Sequence, residues 1–229
     1  RLSPDLLAFL NDLLAAGHHE IHGYRRPAPG ALHRLATDTV PRVVRESWRY
    51  LLVSTLLLAI PLAASWIAVA ANPQLAQLLV DEQALERFES MYERPIGDPV
   101  NAGSLASGTA FYIQRNVSIA FLSFATGVLA GLGSIYLLVY NGLFLGAVAG
   151  YVVGIGFGPN LLRFVTAHAT FELVGIVFAG AAGMRMGMAL VRPGHLSRLA
   201  SLAAARTDVL SLLAVAVVLI AAAAGIEAA

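Results

Sequence analysis

The chain reads as an all-α membrane protein: a compact bundle of about five transmembrane helices with amphipathic interfacial helices, N-terminus cytoplasmic and C-terminus extracytoplasmic. Three observations lead there. Hydrophobic residues make up 58% of the 229 and charged residues only 13%, against about 25% charge in a soluble domain. Mean hydropathy is +0.72. The apolar residues also gather in runs near the ~20 that a helix needs to cross hydrocarbon.

The elements divide into a cytoplasmic and interfacial segment (1–49) and a bundle (50–229) that carries an extracytoplasmic amphipathic insertion (72–115). Ser3-Pro4 is a good helix start, and Leu6, Phe9, Leu10, Leu13 and Leu14 then share one face up to Gly17. His18, His19 and His22 surround Glu20, but their spacing fits no compact metal motif, so they read as a solvated helix end. After a Pro/Gly break, residues 40–49 read as an interfacial elbow, with a cytoplasmic helix packed on upstream sequence as the competing reading. Val40, Val43, Val44 and Trp48 form its apolar face, while Arg42, Arg45 and Arg49 can meet anionic headgroups. The first span covers about 50–71 and contains Pro61, a kink position. Residues 72–95 place Leu75, Leu78, Leu79, Leu85, Phe88 and Tyr92 at helical spacing with acids opposite. The small-residue stretch 104–114 is a candidate re-entrant or interfacial helix.

The second span covers about 116–140 and the third 142–158, joined at Asn141-Gly142, two residues that tolerate left-handed angles. The fourth runs over 161–190. The fifth runs over 208–226, capped by Thr207, with Asp208 favouring its positive dipole end. Arginines concentrate before the first span and between the fourth and fifth, whereas acids concentrate between the first and second. The positive-inside rule then sets the orientation. The chain starts at Arg1 with no signal-peptide layout, which predicts further sequence upstream.

Glycines recur every four residues at Gly127 and Gly131, and at Gly142, Gly146, Gly150 and Gly154. A third ladder comprises Gly175, Ala179, Gly183 and Gly187. Such spacing lets helices approach closely in lipid, inside one chain or at a homodimer seam. One polar pair stands out. His168 and Glu172 lie a turn apart within the fourth span, where an ionisable group costs roughly 2.5–3.5 kcal/mol and marks a candidate site. The orientation puts Asn116, His168, Glu172 and Glu227, with Arg115, towards the outer face, where they can form one chamber. Three readings stand: a structural network, a proton or ion relay, and a metal-dependent hydrolase short of ligands.

No nucleic-acid-reading motif accompanies the net charge of +1, and Cys is absent. HExxH, GxSxG and phosphate-loop motifs are missing as well. No catalytic residue, metal or cofactor is therefore assigned.

An ordered set of residues resembles the stage II sporulation protein M family. It comprises Arg115-Asn116, Gly127 to Gly133, Tyr140-Asn141-Gly142-Leu143 with Gly146, His168 with Glu172, and Ala224-Gly225-Ile226-Glu227. The resemblance covers about half the chain. It departs at Arg115, where a second Asn is usual, and at Ala169, where Gly usually follows the His. It implies a multi-pass protein of the bacterial inner membrane, working as a non-enzymatic scaffold for envelope and cell-wall machinery. The alternative is a transporter or channel component using the His–Glu pair. Expected partners are the lipid bilayer and envelope proteins.

Overall fold

In the computed structural model the description covers residues 31–93, 114 and 117–227, with side chains at all of these except 31, 32, 35, 164, 165, 167, 168 and 224–227. The expected helix over 3–17, the histidines at 18–22 and almost all of the 104–114 stretch lie outside the described residues. The chain forms two compact units, Arg1–Thr37 and Asp38–Ala229. Of the first, only a turn of helix from Ala31 to Arg34 and its wider continuation from Leu35 are described.

The second unit is built of helices, with no strand among the described residues. Helix α1 (Val40–Glu46) carries Pro41 in its first turn, where a missing N–H costs nothing. It bends at Ser47 into α2 (Trp48–Ala71), whose 24 residues span about 36 Å. Pro61 lies inside α2. Asn72 ends α2 and starts the next turn, its Oδ1 accepting the Gln74 N–H at 3.2 Å. A 3-10 segment, Pro73–Leu78, follows. Helix α3 (Glu82–Tyr92) starts from Asp81, whose carboxylate accepts the Gln83 N–H at 3.1 Å. The amphipathic stretch expected over 72–95 is thus two pieces, with Leu85, Phe88 and Tyr92 buried and Leu78 exposed.

Helix α4 (Val117–Val128) is apolar but spans only about 18 Å. Helix α5 (Leu132–Gly154) passes straight through Asn141 and Gly142, so the hairpin expected there does not form. Asn and Gly tolerate a left-handed turn without requiring one, and lipid favours an unbroken hydrogen-bond ladder. The reversal occurs instead at Ala130 (φ 57°) and Gly131 (φ 81°). Helix α6 (Gly158–Val191) follows a turn with Gly156 at φ 97°. Helix α7 (Arg198–Glu227) begins ten residues before the expected start at 208. Ser197 Oγ accepts the Ala200 N–H at 3.2 Å, and Thr207, expected as the cap, lies within the helix.

Four described helical segments are long and apolar enough to cross a membrane: Trp48–Ala71, Leu132–Gly154, Ala169–Val191 and Arg198–Ala223. The expected second and third spans correspond to the shorter α4 and the full-length α5. The register of contacts fixes directions. Gly142, Gly146 and Gly150 meet Leu58, Leu62 and Trp66 in equal steps, so α2 and α5 run parallel. Ser47 meets Arg185 while Ser54 meets Val177, which makes α6 antiparallel to α2. Helices α2, α5 and α7 therefore run one way, and α4 and α6 the other. One end of the bundle holds Arg42, Arg45, Arg49, Arg192, Arg198 and Arg206, and the other holds acidic α3.

Candidate functional site

The helices meet most closely where side chains are missing. A Cβ on Gly142, Gly146 or Gly150 would fall on the carbonyl oxygens of Leu58, Leu62 and Trp66. The glycine face of α5 therefore rests directly on the α2 backbone, at a separation where Cα–H groups contact carbonyl oxygens. Gly154, at the end of the ladder, has more room: its Cβ would lie 2.9 Å from Pro73 Cγ and 3.4 Å from the Ala70 oxygen. A second junction joins α4 to α6. Gly127 lies against the Gly183 backbone, and Gly187 against Gly131 and Ala130. The left-handed turn is thereby seated on α6. Serines lock the same layers: Ser65 Oγ donates to the Leu143 oxygen at 2.8 Å, and Ser134 Oγ to the Ser123 oxygen at 2.6 Å. These surfaces are occupied within one chain.

Glu172 is 4% exposed and engaged by an interaction within the protein. On α6 it shares a face with Ile176, Gly180 and Gly183, spaced by three or four residues. The facing positions on α5 follow from contact. Ser134 meets Gly183 and Leu138 meets Gly180, so continuing the antiparallel register places Asn141 beside Ile176, one turn from Glu172. Asn141 is fully buried, and neither its amide nitrogen nor its oxygen has a hydrogen-bond partner among the described residues. An unsatisfied buried polar group costs about 1–3 kcal/mol. A carboxylate and an amide without a hydrogen-bond partner are thus buried about one turn apart in the bundle interior. Sequence reading assigned Asn141 to a turn and so missed it as a polar interior residue. Its place in an apolar run, one residue from Gly142 and five from Gly146, was the available signal.

Arg115 and Asn116 lie outside the described residues. His168 and Glu227 fall within α6 and α7, but their side chains are outside the description, so the expected chamber is described at Glu172 alone. Among the described residues no three His, Cys, Asp or Glu side chains group as a metal site.

A second polar cluster, not anticipated from sequence, lies at the arginine-rich end. The Arg185 guanidinium donates to Asp208 Oδ2 and Ser47 Oγ and lies 5.9 Å from the Tyr50 ring centroid. Arg185 and Asp208 are 18% and 16% exposed, so the pair ties α6, α7 and the elbow together. Hairpin arithmetic offered a signal, because the midpoint of 185 and 208 falls within the connection between α6 and α7.

At the opposite end, α3 is fastened by its apolar face. Leu85, Phe88, Met91 and Tyr92 pack with Val148, Val152 and Leu161. Tyr151 donates to Glu89 Oε2 at 3.0 Å, and Asn160 Nδ2 to the Tyr92 oxygen at 2.8 Å. Glu82, Glu86 and Glu93 remain exposed.

The family model for stage II sporulation protein M matches residues 50–229. No curated protein and no solved structure gives a match. The chain belongs to the stage II sporulation protein M family.

Proposed function

We propose that this member of the stage II sporulation protein M family is a non-enzymatic scaffold of the bacterial cytoplasmic membrane, presenting α3 to an envelope or cell-wall partner. The observation that carries the reading is the mounting of α3. An amphipathic helix is held on the end of the bundle by four buried side chains while its acids face outward. Such a preorganised surface loses little entropy on binding. The arginine-rich end faces the cytoplasm by the positive-inside rule, which puts α3 on the extracytoplasmic side. The glycine-on-backbone crossings give the bundle a fixed shape suited to holding a partner in place.

Photo-crosslinkers at Glu82 and Glu86 in native membranes test this. One recurrent envelope protein captured from α3 positions, and not from lipid-facing Ile67, is the expected result. No neighbour captured from α3 overturns the scaffold reading.

A second reading, a transporter or channel component, draws on the buried Glu172 and Asn141, because a carboxylate and an amide in an apolar interior can bind or relay a cation. Reconstituted vesicles should then show flux that Glu172→Gln abolishes. Absence of flux across varied proton and ion gradients ends this reading for the isolated chain.

A further inference from the structure

The first turn of α2, the α4–α5 turn and the last turns of α6 enclose a groove of about 590 Å3, within the roughly 300–1,000 Å3 typical of ligand sites. Its character changes along its length. By the register of the helices Val53 and Ile135 lie deepest, Trp48, Arg49, Tyr50 and Met184 stand at the mouth, and Glu46 and Met188 form the outer rim. We propose that this groove binds one anionic phospholipid, with an acyl chain along the apolar wall and the phosphate at Arg49.

Depth decides the class of ligand. Trp48 and Tyr50 open a membrane-length helix, the position where aromatic rings sit at headgroup level. The wall beyond them extends into hydrocarbon, so a ligand filling the groove must be apolar below the mouth and polar at it. Val53 and Ile135 supply that apolar surface, and the methionines make the entrance pliable.

Charge selects the headgroup. The Arg49 guanidinium lies over the Trp48 ring, 5.5 Å from its centroid, and makes no ion pair among the described residues. Glu46, the acid at the rim, is paired with Arg42 at 3.6 Å. That leaves Arg49 to meet a phosphate. Arg45, Arg192, Arg198 and Arg206 at the same end raise the local positive potential further. A zwitterionic lipid carries no net charge to answer it. The site is independent of the scaffold and transporter readings.

The full chain, purified in mild detergent and supplied with phosphatidylglycerol or phosphatidylcholine, tests the site by native mass spectrometry. Retention of one phosphatidylglycerol in preference to phosphatidylcholine is expected. Arg49→Ala, at an exposed position, should reduce that retention about five-fold, the contribution of one cation near an anionic surface. Arg192→Ala, at the same end but outside the groove, should reduce it far less than Arg49→Ala does. Ile135→Trp should displace both lipids by filling the apolar part of the groove. Equal retention of the two lipids overturns the proposal, as does retention that survives Arg49→Ala. A photo-crosslinker at Val53 provides a measurement independent of those variants. Labelled lipid captured there supports the site, and capture of the chain's own residues 1–37 overturns it.

Discussion

At the residue scale, glycine acts here by what it leaves out. Gly146 and Gly154 belong to one ladder but differ in the atoms a methyl group would meet: the Leu62 carbonyl backbone in one case, the edge of the Pro73 ring in the other. Backbone cannot give way as a ring edge can. Gly146→Ala should therefore cost about 1–3 kcal/mol, read as a lowered melting temperature in detergent, and Gly154→Ala distinctly less. Equal losses would mean that the ladder is not what fixes the contact. Asn141 predicts the opposite sign. Replacing both unpartnered amide atoms by methyl groups removes a desolvation penalty, so Asn141→Leu should leave stability unchanged or raise it by about 1 kcal/mol. The ladder was legible in the sequence because small residues at a four-residue period have few other uses. Asn141 was not, since an Asn-Gly pair is equally compatible with a turn and with a helix that needs Gly142.

At the element scale, the polar tie between α6 and α7 is the most exacting contact. Arg185→Ala leaves Asp208 largely buried without its cation, which should cost about 2–4 kcal/mol, whereas Arg192→Ala should be near neutral. The double variant Arg185→Ala/Asp208→Ala should recover part of the loss, and a thermal-melt mutant cycle reads the coupling. Helix α3 depends instead on packing. Phe88→Ala removes a side chain that is 4% exposed, a change worth about 3–5 kcal/mol in a core. Detachment of α3 should appear as new cleavage near residues 80–93 in limited proteolysis, with the membrane helices intact. The periodicity of Leu85, Phe88 and Tyr92 announced this helix. Its break from the preceding 3-10 segment was less visible, because Leu75 and Leu78 continue the apolar pattern while α3 starts afresh at the Asp81 cap. The short α4 and the reversal at Ala130-Gly131 were hidden for a related reason: the residues on both sides are apolar, and Ala130 gives no sign of a positive φ.

At the scale of the whole molecule, the alternation of helix directions makes topology testable with single labels. The chain has no cysteine, so introduced thiols report without background. Ser197→Cys, between α6 and α7, and Gln83→Cys, in α3, should react with impermeant reagents from opposite sides of the membrane, the former from the cytoplasm. Labelling of both from one side would overturn the proposed orientation. Composition and arginine asymmetry contained most of this plan. They did not contain the neighbour relations, because hydropathy reports that a helix meets lipid and not which helix it meets.

The parallel seating of α5 on α2 also sets an order of events during synthesis. Consecutive helices joined by tight turns can pair as soon as both have emerged, but parallel neighbours cannot be joined that way. The carbonyl ridge at Leu58, Leu62 and Trp66 enters the bilayer while more than sixty residues that precede the α5 glycines remain to be translated. Lipid must cover that ridge until α4 has carried the chain back and α5 arrives. Closure of the bundle thus waits for α5, whose glycines take the place of lipid along a surface made well before them.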